Sequence, residues 1–172
     1  MNIGLVSDTH MFRFSKALPR ELVRGFREQN VSAILHMGDF TDIGIVEHFE
    51  AIAPFDAVAG NNDNDAIVQR FGRKKIVEIG EVRIGMVHGD SFTGKTLRVA
   101  QNAFLDERVD AILFGHSHQP YCQLHGKTWI VNPGSPTDKR LQPQFSYCIL
   151  TIENDTITPQ LYYYSDKSPV SP

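Results

Sequence analysis

The chain has 172 residues, 41% of them apolar and 22% charged, and a formal net charge of −3. These values fit one soluble globular domain and provide no long basic run for coating a nucleic acid. The two cysteines, Cys122 and Cys148, lie in apolar surroundings without CxxC spacing, which excludes a thiolate zinc knuckle and a disulfide framework; both read as buried thiols.

Residues 3–7 form a short apolar run, read as a buried strand. Over 15–29, Leu18, Leu22, Val23 and Phe26 share a helical face. A second strand is expected at 33–37, a second helix at 43–52 before Pro54, and a third strand at 57–59, stopped by Gly60 and Asn61. Strand, helix, strand, helix, strand implies parallel strands with crossover helices. Runs 75–79 and 82–87 flank Gly80-Glu81 as a hairpin, 96–104 reads as a helix, and 111–114 as a buried strand ended by Gly115. Two further hairpins are expected, 121–124 with 128–131 and 145–152 with 156–164. The expectation is one α/β domain over 1–164, two stacked sheets with helices outside, and a loose tail over 165–172. No apolar stretch reaches the length of a membrane span and no basic leader precedes residues 3–6, so a cytoplasmic protein is expected.

Polar residues fall where the apolar runs stop. Asp8 and His10 follow the first run, Asp39 the second, Asn61 the third, His88 the run 82–87, and His116 and His118 the run 111–114. Ligands of open α/β sheets bind beyond the carboxyl ends of strands, so these five ends can converge. Carboxylate, imidazole and amide oxygen without thiolate suit a divalent Mn, Fe, Ni, Co or Zn ion. Seven donors exceed one ion's needs but serve two, with Asp39 able to bridge; such a pair clamps the attacking and leaving oxygens of a phosphoryl displacement. In His116-Ser117-His118, alternation on an extended segment would point both rings the same way.

The series Asp8-x-His10, Gly38-Asp39-x-x-Asp42, Gly60-Asn61-x-Asp63, His88-Gly89 and Gly115-His116-x-His118 resembles the calcineurin-like metallophosphoesterase family. The short length and Asn132-Pro133-Gly134-Ser135 resemble its small prokaryotic phosphodiesterase branch. The resemblance implies a four-layer α/β/β/α sandwich with two mixed β-sheets. It assigns Asp8, His10, Asp39 and His118 to one metal and Asp39, Asn61, His88 and His116 to the other. It also implies a phosphodiester substrate of small size, attack by a metal-bridging hydroxide, Mn²⁺ as the first metal with Ni²⁺, Zn²⁺, Fe²⁺ or Co²⁺ compatible, and a homodimer or homotetramer.

Three departures stand out. Better-known members carry His after Gly-Asn, and that His assists the leaving group. Here the position is Asn62, which has no dissociable proton and is expected to bind a phosphoryl oxygen instead. Relatives frequently have His-Gly-His where this chain has His88-Gly89-Asp90; Asp90 reads equally as a support for a ligand or a solvated carboxylate. Relatives often end the Asn-Pro-Gly-Ser loop with Pro-Arg; here Lys139-Arg140 follows, and Arg140 is a candidate substrate contact. Asn62 and Asp63 are expected at the catalytic position, Asp63 by supporting the Asn61 loop. Asp42 is read as a helix cap, and His36, His48 and His125 as structural.

Two other readings compete. Residues 89–96 match GxxxxGK[ST], including Gly94, Lys95 and Thr96, which would suit a P-loop NTPase. That fold needs an acidic Mg²⁺ partner at the end of a neighbouring strand, and the run 111–114 ends in Gly115-His116. The family's fold also serves as a non-catalytic scaffold, as in a retromer subunit that resembles it.

Overall fold

The computed structural model describes residues 1–13, 15–91 and 95–169. Its first part runs β1 (Asn2–Val6), α1 (Arg20–Glu28), β2 (Ala33–His36), α2 (Ile45–Glu50), β3 (Phe55–Ala57) and α3 (Asp65–Phe71). The middle holds β4 (Lys74–Ile79), β5 (Val82–Val87), α4 (Thr96–Asn102) and β6 (Ala111–Leu113). Two hairpins follow, β7 (Tyr121–His125) with β8 (Thr128–Asn132) and β9 (Phe145–Glu153) with β10 (Thr156–Tyr164).

The strands form two mixed sheets, ordered β10-β9-β1-β2-β3 and β4-β5-β6-β8-β7. Each sheet has a parallel part: β1 with β2 and β2 with β3 in the first, β5 with β6 and β6 with β8 in the second. Side-chain alternation sorts the residues into layers. Ile3, Leu5 and Leu35 turn toward Ile84, Met86, Leu113 and Val131 in the core between the sheets. Val6 and Ile34 turn the other way, onto Leu22 and Phe26 of α1, Phe49 of α2 and Phe71 of α3. On the far side, α4 and the turn after it lay Ala100 and Phe104 on Ile112 and Ile130. The architecture is therefore an α/β/β/α sandwich, with both sheet faces covered as parallel strands require.

Several boundaries differ from the sequence expectation. Helix α1 starts only at Arg20, because Pro19 at its N-cap biases the preceding residue away from helical backbone. Helix α2 is confined to six residues; Asp42 Oδ1 accepts the Gly44 N–H at 2.8 Å in the turn that leads into it. Helix α3 has no counterpart in the sequence expectation. Its signals are short: Asn64 Oδ1 accepts the Ile67 N–H at 3.1 Å, Ile67 and Phe71 share the buried face, and Gly72 ends it. The segment 165–169, expected to be loose, is tied down. The Ser168 carbonyl accepts the Arg20 N–H at 2.9 Å, and Lys167 donates to the Thr137 carbonyl at 3.1 Å. Residues 170–172 lie outside the described residues. Cys148 is buried but Cys122 only half-buried, and both are free thiols. No helix among the described residues is long and apolar enough to cross a membrane.

Candidate metal centre

The parallel strands of both sheets deliver their carboxyl ends to one place. Asp8 and His10 lie beyond β1, Asp39 beyond β2, Asn61 beyond β3, His88 beyond β5, and His116 and His118 beyond β6. The backbone there is bent sharply. Asp8, His10, Asp39, His116 and His118 all have positive φ, between 43° and 66°. Such left-handed residues are uncommon, cost free energy and cluster at functional sites. This geometry corrects the expectation for residues 116–118. The segment is not extended, and its two rings go to different donor groups.

One group is Asp8, His10 and His118; the other is Asp39, His88 and His116, and within each the donor atoms lie within 4.8 Å of one another. His10 Nε2 and His118 Nε2 are 3.3 Å apart, and His118 Nε2 is 3.4 Å from Asp8 Oδ1. Asp39 Oδ2 joins the groups, 3.4 Å from His88 Nε2 and 3.8 Å from His10 Nε2. Asn61 adds its Oδ1 at 3.0 Å from His116 Nδ1. All seven expected ligands are thus brought together.

The donors are oriented by the protein around them. His88 Nδ1 donates to the Met37 carbonyl at 2.6 Å, leaving Nε2 free for a cation. His118 Nδ1 is held in the same way by the Asp138 carbonyl. Asp8 Oδ2 accepts from the Ser7 hydroxyl at 2.6 Å and the His116 N–H at 2.9 Å. Its Oδ1 and His88 Nε2 are buried polar atoms with no hydrogen-bond partner among the described residues. An orphaned buried donor or acceptor costs about 1–3 kcal/mol. Here both orphans face other metal-ligating groups, an arrangement that fits a bound cation.

Asp63, expected to support the Asn61 loop, binds backbone. Its Oδ2 accepts the N–H groups of Asp39 at 2.8 Å and Gly60 at 2.7 Å, and its Oδ1 that of Thr41 at 2.6 Å. The carboxylate is filled by backbone and clamps the loops after β2 and β3 together. Asn62 does face the centre: its N–H donates to Asp39 Oδ1 at 2.8 Å and its Nδ2 to Asp39 Oδ2 at 2.6 Å. Arg140 is exposed, and its charge helps to hold down the pKa values of His10, His116 and His118, so it stands within electrostatic reach of both groups. Asp90 is exposed and acts on His116 by its charge alone.

Sequence reasoning missed several supports. Ser135 Oγ donates to the Asp8 carbonyl at 2.8 Å, and Thr137 Oγ1 to that of Thr9. Asn132 Nδ2 reaches the Gly115 carbonyl at 2.9 Å. His36, read as structural, is fully buried and spans two ligand loops. Its Nδ1 accepts the Gly38 N–H at 3.1 Å, and its Nε2 lies 3.1 Å from Thr9 Oγ1. Backbone carbonyls carry no side-chain signal, so Met37 and Asp138 could not have been found from residue type. Two glycines are required by close approach. A Cβ at Gly60 would lie 2.2 Å from Asp39 Oδ1, and one at Gly115 would lie 1.8 Å from Ser7 Oγ.

Burial and charge set the protonation of the group. Burial pushes Asp8 up to about 7, against the pull of His88 and the Ser7 hydroxyl. Burial opposes charge on His88, but Asp39 and Asp8 outweigh it and raise His88 to about 9. Burial likewise works against Asp39, yet His88 and the Asn62 N–H groups hold it well below the usual carboxylate range. His10, His116 and His118 are pushed down, chiefly by burial, and stay neutral. Without a cation, the centre keeps one proton on His88 between two carboxylates, supplying positive charge where the donors converge.

Of the P-loop match, Phe92, Thr93 and Gly94 lie outside the described residues, as does Phe14. The parallel neighbour of β5 is β6, and it leads to Gly115-His116 rather than to a carboxylate.

Residues 1–155 match the family model of the calcineurin-like phosphoesterase superfamily domain. A probable metallophosphoesterase of Methanocaldococcus jannaschii is 35% identical over 155 residues, covering 90% of this chain and 77% of that protein. A phosphodiesterase of the same organism is 28% identical over 148 residues, covering 78% of this chain and 83% of its own. Among solved structures, Vps29 of Chaetomium thermophilum superposes with a TM-score of 0.77 at 19% identity, covering 98% of this chain and all of the other (100%). At that identity the likeness concerns the fold.

Proposed function

The chain belongs to the calcineurin-like phosphoesterase superfamily, and from that premise we propose that it is a phosphodiesterase working with two divalent cations. The observation that carries this reading is Asp39 Oδ2, placed between His88 Nε2 at 3.4 Å and His10 Nε2 at 3.8 Å. One carboxylate oxygen there joins two groups of imidazole and carboxylate donors, of which His10, His116 and His118 are neutral and His88 gives up its proton when a cation binds. Asp8, His10, Asp39 and His118 would hold one cation, and Asp39, Asn61, His88 and His116 the other. The mixed N/O set suits a divalent Mn, Fe, Ni, Co or Zn ion, and Mn²⁺ is placed first on the family resemblance. When bound, such a pair acidifies a water as nucleophile and supplies Lewis acidity at the phosphoryl oxygens.

The chain's own residues do the rest. Met37 and Asp138 carbonyls fix which ring nitrogen of His88 and His118 faces inward. Asn62 presents an amide N–H at the bridging carboxylate, from where it reaches a phosphoryl oxygen, and it has no proton to give a leaving group. Arg140 supplies a planar cation above the mouth, suited to a phosphate. The preference for a diester is supported by the phosphodiesterase relative at 28% identity. A homodimer or homotetramer in the cytoplasm completes the reading.

The test is a panel of bis(p-nitrophenyl) phosphate and p-nitrophenyl phosphate against metal-free protein, with metals added singly. Diester hydrolysis with Mn²⁺, abolished by Asp39→Ala, is the expected result. Two bound cations without hydrolysis of any ester would favour the scaffold reading; no cation binding would sink both the metal centre and the enzyme.

A further inference from the structure

A cleft of about 550 Å³ lies beside the Asp39–His88–His116 half of the centre. Lys95, Leu97, Phe114, Ser117, Gln119 and Tyr121 are among its walls. Two observations connect it to the centre. Ser117 sits in the chain between His116 and His118. Gly89, which follows His88, lies against the cleft wall: a Cβ there would be 3.0 Å from Thr96 Cγ2, and Thr96 lines the cleft. Clefts of about 300–1,000 Å³ hold small ligands, and this one shares the segments that carry His88 and His116.

Its lining favours one class of group. The rings of Phe114 and Tyr121 are 6.2 Å apart and tilted by 57°. Tyr121 is a fixed wall, because its hydroxyl donates to Gln123 Oε1 at 3.0 Å and lies 2.7 Å from His125 Nε2. Ser117 Oγ accepts from Asn132 Nδ2 at 3.1 Å and the Gln119 N–H at 3.3 Å, which leaves its O–H to donate. Gln119 adds an exposed amide and Lys95 a cation, and no Asp or Glu is among the described lining residues. A cationic headgroup would meet Lys95 without a carboxylate to pair with. A short alkyl group would leave both the rings and the polar atoms unused. A planar ring carrying heteroatoms uses both, by stacking and by hydrogen bonds.

We propose that this cleft is the subsite for the nucleoside group of a nucleoside phosphodiester, the base lying against the half-buried ring of Tyr121, which the buried Phe114 backs, with its heteroatoms toward Ser117 and Gln119. The proposal rests on the phosphodiesterase reading above and adds the substrate class.

The experiment compares thymidine 5′-phosphate p-nitrophenyl ester with methyl p-nitrophenyl phosphate on the Mn²⁺-loaded protein. Both release p-nitrophenolate, so only the retained group differs. The wild type is expected to favour the nucleoside ester in kcat/KM. Tyr121→Ala should narrow that ratio about fivefold or more, through the KM of the nucleoside ester, as loss of a stacking partner does. Tyr163→Ala, on the exposed side of β10, should keep it. No preference in the wild type, or a Tyr121→Ala loss shared equally by both esters, would overturn the subsite while leaving the phosphodiesterase intact. If neither ester is hydrolysed with any metal, the phosphodiesterase reading falls instead. Thymidine 5′-monophosphate binding by calorimetry then decides the cleft: binding weakened by Tyr121→Ala supports it, and no binding to the wild type rejects it.

Discussion

His10 and His118 bring their Nε2 atoms to 3.3 Å across 108 residues of chain, with their rings stacked at 5.2 Å. Both imidazoles are held neutral, chiefly by burial, so both keep a lone pair for the same cation. His118→Ala is expected to lower bound Mn²⁺ from two per chain to one. Diester hydrolysis should fall by more than about 100-fold, since even outer partners of metal ligands are worth about 10–100-fold. Elemental analysis of the dialysed variant checks the first number, and two retained ions would contradict it.

Proton release should accompany cation binding. In the metal-free protein, His88 is raised from 6.5 to about 9, so its stabilising contribution is full below 6.5 and is lost as pH rises through 9. Asp8, raised from 3.8 to about 7, also contributes most in its protonated form and loses that contribution as pH climbs through 7. Asp39 is shifted the opposite way and titrates only in acid. The Tm of metal-free protein should therefore fall from neutral to mildly alkaline pH, while Mn²⁺ affinity rises. Calorimetry in two buffers of unlike ionisation enthalpy measures the protons released; a Kd independent of pH over that window would be inconsistent with the assignment.

The proposed role of Asn62 predicts hydrolysis that is sensitive to the leaving group. Aryl diesters should be cleaved far faster than alkyl ones, because no side chain at that position donates a proton. Asn62→His should raise alkyl-ester turnover, by up to about 100-fold at the lower end of general-acid effects. Asn62→Ala should lower aryl-ester turnover about tenfold, the order of one lost charge-assisted hydrogen bond. A series of leaving groups of graded pKa gives the slope; identical slopes for the wild type and the Asn62→His variant would refute the role.

Gly115→Ala should damage the centre without touching a donor. The added methyl would lie 1.8 Å from Ser7 Oγ and 2.8 Å from Asp8 Oδ2, and Ser7 is fully buried with nowhere to retreat. A cost of about 1–3 kcal/mol is expected, as for an overpacked core, together with weaker cation binding. Thermal unfolding with and without Mn²⁺ reads both, and an unchanged Tm would show that the Ser7 loop yields.

Asp63→Ala should behave as a folding defect more than a chemical one. It strands the N–H groups of Asp39, Thr41 and Gly60, each worth about 1–3 kcal/mol if left buried and unpaired. Asp63→Asn, which keeps one acceptor oxygen, should recover part of the stability; equal unfolding midpoints for the two variants would argue against the clamp.

Much of this was legible in the order of residues. Apolar runs ending in Asp, Asn or His marked both the strands and the donors, because a parallel strand is buried along its length and open only at its end. The hairpins were readable from Gly80, Gly126 and Asn154-Asp155, each with the positive φ that a tight turn demands. Helix α3 escaped because it is only seven residues long, with Ile67 and Phe71 alone fully turned to the core, too short a stretch to show a helical period. The true path of residues 116–118 escaped for another reason. Left-handed backbone at these functional residues is imposed by Asp8, which captures the His116 N–H from 108 positions away. Local propensity carries no trace of it. Asp63 was readable as a support for the Asn61 loop, but that it also gathers the Asp39 and Thr41 amides was not, because backbone N–H groups leave no mark on residue type.

The two sheets share the donors almost evenly. Asp8, His10, Asp39 and Asn61 come from the ends of the first, and His88, His116 and His118 from the second. Each proposed coordination shell draws on both sheets, so bound cations would act as rivets across the seam. Cation affinity in this chain is consequently a gauge of how firmly the halves are seated. A substitution deep between the sheets, such as one at Ile84 or Leu113, should loosen the metals without approaching either of them.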